Sequence, residues 1–156
     1  MSMQQLKPTI RLHIWLENEE GIVFGSGRAQ LMLNIERYGS LKKAAEAMKM
    51  SYRAAWGKIK QTETILGHKL IRKMGSNRKG YELTAFGTSI TRNFLYWFDE
   101  VEKKALKEAE SIFPWLTNSY KNTSDIRPDC VDTVCPWPEK SIADKKRPNV
   151  PGNAPE

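Results

Sequence analysis

The sequence lacks most of what a catalytic or membrane protein requires. It contains no Ser/His/Asp set, no paired carboxylates at a catalytic spacing and no glycine-rich phosphate loop, and it has two histidines in 156 residues. No apolar run is long enough to span a bilayer, and charged residues interrupt the N-terminal stretch where a signal peptide would need a continuous apolar segment. We therefore predict a cytoplasmic protein that is not an enzyme.

Cysteine is also scarce. Cys130 and Cys135 are too few for the disulfide framework of a small secreted domain, and their number fits a reducing compartment. The two thiolates could form half of a tetrahedral metal site that a second copy of the chain completes. Unreactive cysteines would have the same pattern in the sequence, so a metal or redox sensor is only an alternative.

Proline is almost absent from the first 113 residues and abundant after them. Seven of the eight prolines lie in residues 114–156, among scattered polar residues without a lasting apolar period. Such a composition cannot bury a core, so we predict a proline-rich, disordered tail over this segment. The rest of the chain then divides into a domain over residues 8–83 and a helix over residues 84–113.

Positive charge is concentrated in one segment. The formal net charge is +7, and residues 40–80 carry eleven Lys and Arg against two Glu, whereas residues 116–156 carry six basic and six acidic residues. A local basic excess of this kind is typical of a surface that binds nucleic acid. A basic face that merely contacts solvent is the alternative.

The N-terminal region has the period of a β-hairpin. Apolar and polar residues alternate over residues 10–16, and residues 22–24 supply a return strand after a polar turn. His13 falls on the solvent face, so we expect no ligand role for it. The face predicted to be apolar consists of Ile10, Leu12, Ile14 and Leu16.

Three amphipathic helices follow. The first ends at Gly39, Ser40 caps the second, and the third lies between Ser51 and Gly67. Apolar residues recur in them at spacings of three and four: Leu31, Met32, Ile35 and Tyr38, then Leu41, Ala44, Ala45 and Met48, then Ala55, Ile59, Thr62 and Leu66. The second and third helices, joined by a tight turn, predict a helix-turn-helix.

A basic hairpin and a long helix complete the pattern. Strands over residues 69–72 and 81–83 flank the loop "KMGSNRKG", and Thr84 caps a helix whose apolar stripe runs from Phe86 to Ile112, about 28 residues. The predicted fold is mainly α with small β: a winged helix-turn-helix with an N-terminal β-hairpin and a long C-terminal dimerisation helix.

Two short segments, "MSYRAAW" at the start of the third helix and "YELTAFG" at the end of the wing, carry a family resemblance. The first is close to the Met/Ile-Ser-Tyr-Lys-x-Ala-Trp signature of ModE-type regulators, and the second matches the Leu-Thr-x-x-Gly that closes the wing in ModE-type and LysR-type regulators. Residues 8–113 thus resemble the N-terminal domain of ModE-type regulators, which is related to that of LysR-type regulators. The resemblance implies transcription regulation through double-stranded DNA. ModE proteins bind molybdate through C-terminal domains, and the forty-odd residues after the long helix are too few and too proline-rich for one. The sequence therefore gives no support for molybdate binding by this chain, and it does not identify an effector.

The front of the third helix supplies the candidate DNA contacts. At about 100° per residue, Arg53, Gly57 and Lys60 point away from the apolar stripe, whereas Trp56 lies on the flank and Tyr52 nearer the buried side. The predicted DNA-binding residues are Ser51, Tyr52, Arg53, Trp56, Lys60, Lys42, Lys43, Arg78 and Lys79. Binding through them needs no cofactor.

These residues differ in the contact that we expect. Arg53 suits a base edge, with a phosphate as the alternative, and Lys60 suits a phosphate. The hydroxyl of Ser51 caps the helix and could also meet a phosphate. Tyr52 and Trp56 either pack on the preceding helix or contact a phosphate or a base methyl.

The remaining basic residues lie outside the third helix. Lys42 and Lys43 meet phosphate or solvent, and Arg78 and Lys79 enter a minor groove or remain solvated. The sequence thus predicts a homodimeric, sequence-specific DNA-binding regulator with its recognition helices in successive major grooves. A winged-helix module that binds a protein or RNA, without base-specific recognition of DNA, is the alternative.

Overall fold

The structure, a computed structural model, describes residues 8–76, 79–114, 118–119 and 136–138. It begins with strands β1 (Thr9–Ile10), β2 (Trp15–Asn18) and β3 (Gly21–Gly25), and β2 and β3 form an antiparallel hairpin. The single strand predicted over residues 10–16 is wrong, since residues 11–14 are not in a strand. Trp15 pairs with Gly25, where β3 ends and the first helix begins, so the residues before Trp15 have no partner strand there.

The predicted alternation nevertheless survives over part of this segment. Leu12 and Ile14 are half-buried and His13 is exposed, as the period of two predicts. Leu16 departs from it, since this residue is 45% exposed, and the ladder is irregular directly after it, between Leu16 and Glu17. A bulge of this kind changes which face the following residues occupy.

The three predicted helices are confirmed. They are α1 (Ser26–Tyr38), α2 (Leu41–Ala47) and α3 (Tyr52–Leu66). Gly39 and Gly67 both adopt the left-handed conformation that ends a helix, with φ of 61° and 69°. The hydroxyl of Ser40 accepts a hydrogen bond from the amide of Lys43 at 3.2 Å, and this bond begins α2 as the cap signal predicted.

The wing and the long helix follow. Strands β4 (Ile71–Lys73) and β5 (Tyr81–Leu83) pair antiparallel, and α4 (Ala85–Ile112) begins at the cap Thr84, whose hydroxyl accepts from the amide of Gly87 at 3.0 Å. The first wing strand was predicted two residues too early. The carbonyl of Lys69 and the amide of Leu70 are instead bound to the side chains of Thr84 and Glu63.

One apolar core joins the helices to the wing. Phe24 of β3 packs against Phe94 of α4 with ring centroids 5.4 Å apart. The buried core residues come from β3, all four helices and the start of the wing: Phe24, Ala29, Leu31, Met32, Ile35, Leu41, Ala44, Ala45, Ala55, Ile59, Leu70, Ile71, Ile90 and Phe94. Burial of this set fixes the helix-turn-helix against α1 and α4.

Two close backbone approaches hold the wing in place. A Cβ on Gly87 would lie 2.1 Å from the carbonyl oxygen of Leu70, and a Cβ on Gly80 would lie 2.1 Å from that of Gly39. The amide of Tyr81 donates to this same Gly39 oxygen at 3.1 Å. Glycine at both positions lets α4 and the wing approach their neighbours at backbone distance.

Part of the segment predicted to be a disordered tail contacts the domain. Strand β6 (Asn118–Ser119) pairs in parallel with β1, and residues 136–138 lie against α4. At these residues the structure therefore differs from the disordered tail that the sequence predicts. A two-residue strand and a single aromatic contact leave no apolar period in a sequence, so the composition could not indicate them. None of the described helices is long and apolar enough to cross a membrane.

Candidate nucleic-acid interface

The turn between α2 and α3 is built around Lys49. This residue has a φ of 55°, and among the described residues it is the one non-glycine residue with a positive φ. The amide of Met50 donates to the carbonyl of Ala45 at 3.0 Å across the turn. Ser51 then caps α3, since its hydroxyl accepts from the amide of Ala54 at 3.1 Å. The turn presents the first residues of α3 to solvent.

One face of α3 is buried and the opposite face is open. Ala55, Ile59 and Thr62 are almost fully buried, whereas Arg53 and Gly57 are exposed, as the helical period predicts. Among the residues that the structure describes, none forms a hydrogen bond or ion pair with the guanidinium of Arg53. The first two turns of α3 therefore offer a free cation beside a residue without a side chain.

Polar side chains fix the orientation of α3 from behind. The hydroxyl of Thr62 donates to the carbonyl of Val23 at 2.7 Å. The guanidinium of Arg28 donates to Gln61 Oε1 at 2.7 Å, and its burial lowers the pKa of Arg28 from its ordinary value. These contacts tie α3 to β3 and α1, and none of them is apparent from the sequence, because each joins residues distant in the chain.

Three aromatic rings connect the front of α3 to the wing. Tyr52 stacks on Trp56 with centroids 6.4 Å apart and planes 9° from parallel, and Trp56 lies 5.9 Å from the ring of Tyr81 in β5. Trp56 is half-buried, as expected for a residue on the flank. Tyr52 is 47% exposed, so its predicted position nearer the buried side is wrong. Stacking on Trp56 holds it at the surface.

The hydroxyl of Tyr52 stays protonated at neutral pH. Partial burial and then the neighbouring Tyr81 raise the pKa of Tyr52, while the positive charge of Lys73 acts in the opposite direction. The phenol is therefore a hydrogen-bond donor beside a lysine of the wing. Lys73 was not among the predicted site residues, although its exposed position in β4 places it next to the front of α3.

Lys60 is engaged within the protein. Its ammonium lies 2.8 Å from Glu63 Oε2 and 4.3 Å from the centre of the Trp56 ring, and the side chain is 37% exposed. The hydrogen bond to Glu63 raises the pKa of Lys60. The prediction that Lys60 points straight away from the buried face is thus wrong, because the carboxylate one turn further draws the side chain toward the wing.

Glu63 is a buried carboxylate whose role is not apparent from the sequence. Its Oε1 accepts from the amide of Leu70 at 2.9 Å, and its Oε2 accepts from Lys60 and, at 3.2 Å, from Lys69. Burial alone would raise the pKa of Glu63, but the hydrogen bonds from Lys60 and Leu70 outweigh it and hold this pKa below its ordinary value. The carboxylate joins α3 to the start of the wing.

The other predicted residues are spread around this surface. Lys42 and Lys43 are exposed at the first turn of α2, and Lys79 is exposed in the wing loop. Arg78, Cys130 and Cys135 lie outside the described residues. Within the ranges that the structure describes, no group of three or more His, Cys, Asp or Glu side chains is placed to hold a metal ion.

Comparisons with known proteins address the same part of the chain. Residues 28–88 match the family model described as "Bacterial regulatory helix-turn-helix protein, lysR family". Over 77 residues the chain is 31% identical to the "Molybdenum transport protein ModE" of Azotobacter vinelandii, a match that covers 48% of this chain and 28% of that protein. The chain thus spans less than a third of the length of this relative.

A solved structure is also similar. ArgP from Mycobacterium tuberculosis is 17% identical and superposes with a TM-score of 0.40, covering 61% of this chain and 43% of that one. The matched family segment runs from α1 to the first turn of α4, and it contains the complete helix-turn-helix and wing. The helix-turn-helix and wing of this chain are thus similar to the helix-turn-helix domain of LysR-type and ModE-type transcriptional regulators.

Proposed function

We propose that this protein is a sequence-specific regulator that binds double-stranded DNA as a homodimer. The observation that carries the proposal is the front of α3, where Arg53 is exposed without a partner among the described residues and the opposite face is locked into the core. Because the helix is already ordered by the core, entering a major groove adds no conformational entropy cost for ordering it. DNA lies in the cytoplasm of bacteria, so we propose that location as well.

Arg53 is the residue that we assign to a base edge. A guanidinium in the first turn of a recognition helix can make two parallel hydrogen bonds to a guanine. Gly57, one turn further on the same face, leaves room for the DNA, since nothing lies within 4 Å of the position of a Cβ there. Ser51 and the first amides of α3 would meet a phosphate at the edge of the groove.

The aromatic residues receive different roles. Tyr52 is exposed and its protonated hydroxyl can donate to a phosphate, so we assign it a backbone contact. Trp56 is half-buried between Tyr52 and Tyr81 and beneath Lys60, which leaves it little surface for DNA. We assign to Trp56 the role of fixing the positions of Tyr52 and the wing relative to each other. The ammonium of Lys60 is already paired with the Glu63 carboxylate, so its contact with a DNA phosphate would be weaker than that of an unpaired lysine.

Basic residues outside α3 would position the duplex. Lys42 and Lys43 at the start of α2 and Lys79 in the wing are exposed and suit the phosphate backbone. Arg78, beside Lys79 in the sequence, is proposed for the same wing contact or for a minor groove. Lys73 joins this set, because it lies beside Tyr52 at the base of the wing.

The proposed dimer would form through α4. Trp97 is 41% exposed and Ile112 69% exposed on this 28-residue helix, and pairing with a second copy would cover such apolar side chains. Two recognition helices related by a two-fold axis would then lie about one helical turn of DNA apart. The relative from Azotobacter vinelandii has "Molybdenum transport" in its name, but the described residues give no reason to propose an effector for this chain.

A binding-site selection tests the proposal. Randomised duplexes captured by the purified full chain should yield a two-fold symmetric sequence, and hydroxyl-radical footprinting should show protection of two half-sites about 10 base pairs apart. The same sample should have the mass of a dimer by light scattering at micromolar concentration. If no sequence is enriched, and if the affinity for DNA depends on salt but not on sequence, the protein is instead a basic module without base-specific recognition.

A further inference from the structure

A tryptophan flanked by two prolines contacts the surface where α3 ends and α4 begins. The ring of Trp137 lies 5.3 Å from that of Phe86, and Phe86 stacks on His68 with centroids 4.4 Å apart. Ser89, whose side chain lies one turn along α4, donates from its hydroxyl to the carbonyl of Pro136 at 2.7 Å. An apolar ring and a directed hydrogen bond thus hold residues 136–138 at one place.

The polar contact is informative because Ser89 is buried. The residue is 3% exposed, and a buried hydroxyl requires a partner to avoid the cost of its lost hydration. The Pro136 carbonyl is such a partner. Both prolines also restrict the backbone on either side of Trp137, so the segment loses less conformational entropy on docking than a flexible peptide would.

We propose that His68, Phe86 and Ser89 form a docking site for a proline-flanked tryptophan, and that residues 136–138 of the same chain are its occupant. The aromatic pair provides the stacking surface and Ser89 provides the hydrogen-bond donor. This inference does not depend on the proposed function, since none of these three residues is among the proposed DNA contacts.

The length of the connection supports an occupant from the same chain. Sixteen residues, 120–135, separate Ser119 at the end of β6 from Pro136. A connection of this length gives an effective concentration on the order of millimolar. A contact that would have a dissociation constant below about 1 mM as a free peptide is therefore mostly occupied within one chain.

The docking site lies away from the proposed base contact. Arg53 and Leu66, the last residue of α3 before the docking site, are thirteen residues apart, which corresponds to about 20 Å along the helix at 1.5 Å per residue. Loss of the docked segment should therefore leave the affinity for DNA almost unchanged. A failure of this proposal and a failure of the proposed function are for that reason distinguishable.

A peptide-binding experiment tests the site. The probe is a fluorescently labelled peptide of residues 131–143 with serine in place of Cys135, and the proteins are the full wild-type chain and the full chain with Trp137→Ala. We expect the peptide to bind the Trp137→Ala chain with a dissociation constant below about 1 mM. If the peptide binds the Trp137→Ala chain with a dissociation constant of about 0.1 mM, it should bind the wild-type chain about tenfold more weakly. In the wild-type chain, residues 136–138 compete with the peptide for the same site.

Matched controls make the result specific. Trp15→Ala removes another exposed tryptophan of the domain and should behave like wild type. Phe86→Ala combined with Trp137→Ala should abolish binding, and so should replacing Trp137 by alanine in the peptide. Because a Phe86 substitution could unfold the domain, Ser89→Ala combined with Trp137→Ala provides a second variant, in which binding should be several-fold weaker.

Three results would overturn the proposal. The first is absence of peptide binding to a folded Trp137→Ala chain, which would mean that no docking site exists. The second is equal affinity for the wild-type and Trp137→Ala chains, which would mean that residues 136–138 do not occupy the site. The third is a difference in peptide affinity between the two chains that disappears when the wild-type protein is diluted. The segment that occupies the site would then come from a second copy of the chain.

Discussion

The carboxylate of Glu63 in α3 accepts a hydrogen bond from the amide of Leu70 at 2.9 Å, although the two residues lie on opposite sides of the turn at Gly67. The same carboxylate pairs with Lys60 and Lys69, and its side chain is 4% exposed. Since Leu70 leads directly into β4, this side chain connects α3 to the first strand of the wing. This relationship joins the stability of the fold to the shape of the proposed DNA surface.

Replacing Glu63 should therefore destabilise the domain. Glu63→Ala leaves the buried amide of Leu70 without an acceptor, which costs about 1–3 kcal/mol. Glu63→Gln keeps an acceptor oxygen and should cost less, so the difference between the two variants measures the hydrogen bond. The free energy of unfolding from urea titrations checks this, with the exposed Glu108→Ala as control. Equal stability of Glu63→Ala and wild type would contradict the structural role.

The same carboxylate predicts a dependence of stability on pH. The pKa of Glu63 is lower in the folded protein than the ordinary value of about 4.3, so at acidic pH the unfolded state binds more protons. The contribution of Glu63 is thus complete above about pH 5 and is lost as pH falls through the folded pKa. Urea titrations between pH 3 and 7 should show a smaller acid loss for Glu63→Gln than for wild type.

Local signals explain why so much of the fold is predictable. The caps Ser40, Ser51 and Thr84 act on amides three residues ahead, and Gly39 and Gly67 end helices by their own conformation, so each can be identified from a short stretch of sequence. The buried face of α3 follows from its period. These features depend on neighbours within one helical turn.

The errors arise where a residue's environment is set by distant parts of the chain. Lys60 was assigned to solvent because a helical projection cannot show that Glu63 is buried or that Trp56 extends beneath the ammonium. Tyr52 was placed toward the interior because a helical projection cannot show Tyr81, which lies 29 residues later, packs against Trp56 and interacts with the Tyr52 hydroxyl. The contact of Trp137 with Phe86 left no period at all in a proline-rich segment.

Gly87 should tolerate no side chain. A Cβ there would lie 2.1 Å from the carbonyl oxygen of Leu70 and 3.1 Å from Met32 Cε, so α4 would have to move away from the wing. We expect Gly87→Ala to lower the free energy of unfolding by about 1–3 kcal/mol or more. Thermal denaturation followed by circular dichroism measures this, with Gly27→Ala as control because nothing lies within 4 Å of a Cβ there. An unchanged melting temperature for Gly87→Ala would refute the close approach.

Gly57 should separate stability from DNA binding. It lies inside α3, and a Cβ there meets no atom within 4 Å, so Gly57→Ala should stabilise the domain by about 0.5–1 kcal/mol. If this face of α3 approaches DNA closely, the added methyl group should at the same time weaken binding to the selected sequence. Unfolding and DNA titrations on one preparation give both values. Higher stability with unchanged affinity would mean that the duplex does not approach Gly57.

Arg53 provides the most direct test of base recognition. Its guanidinium is exposed in the first turn of α3, whereas the ammonium of Lys60, two turns further, is shared with Glu63. Arg53→Ala should remove a bidentate base contact and cost about 1–3 kcal/mol for the selected sequence, while affinity for scrambled duplex changes little.

Lys60→Ala is the comparison that distinguishes charge from base recognition. We expect it to weaken both duplexes alike and to lower the salt slope by at most about one, because its charge is already partly neutralised by Glu63. Lys79→Ala, in the wing, should also weaken both duplexes alike, and it should lower the salt slope more than Lys60→Ala does, since no ion pair of Lys79 is found among the described residues. Fluorescence anisotropy with selected and scrambled duplexes at several salt concentrations measures all three variants. An equal loss of affinity for both duplexes in Arg53→Ala would show that this arginine contacts phosphate and that sequence is recognised elsewhere.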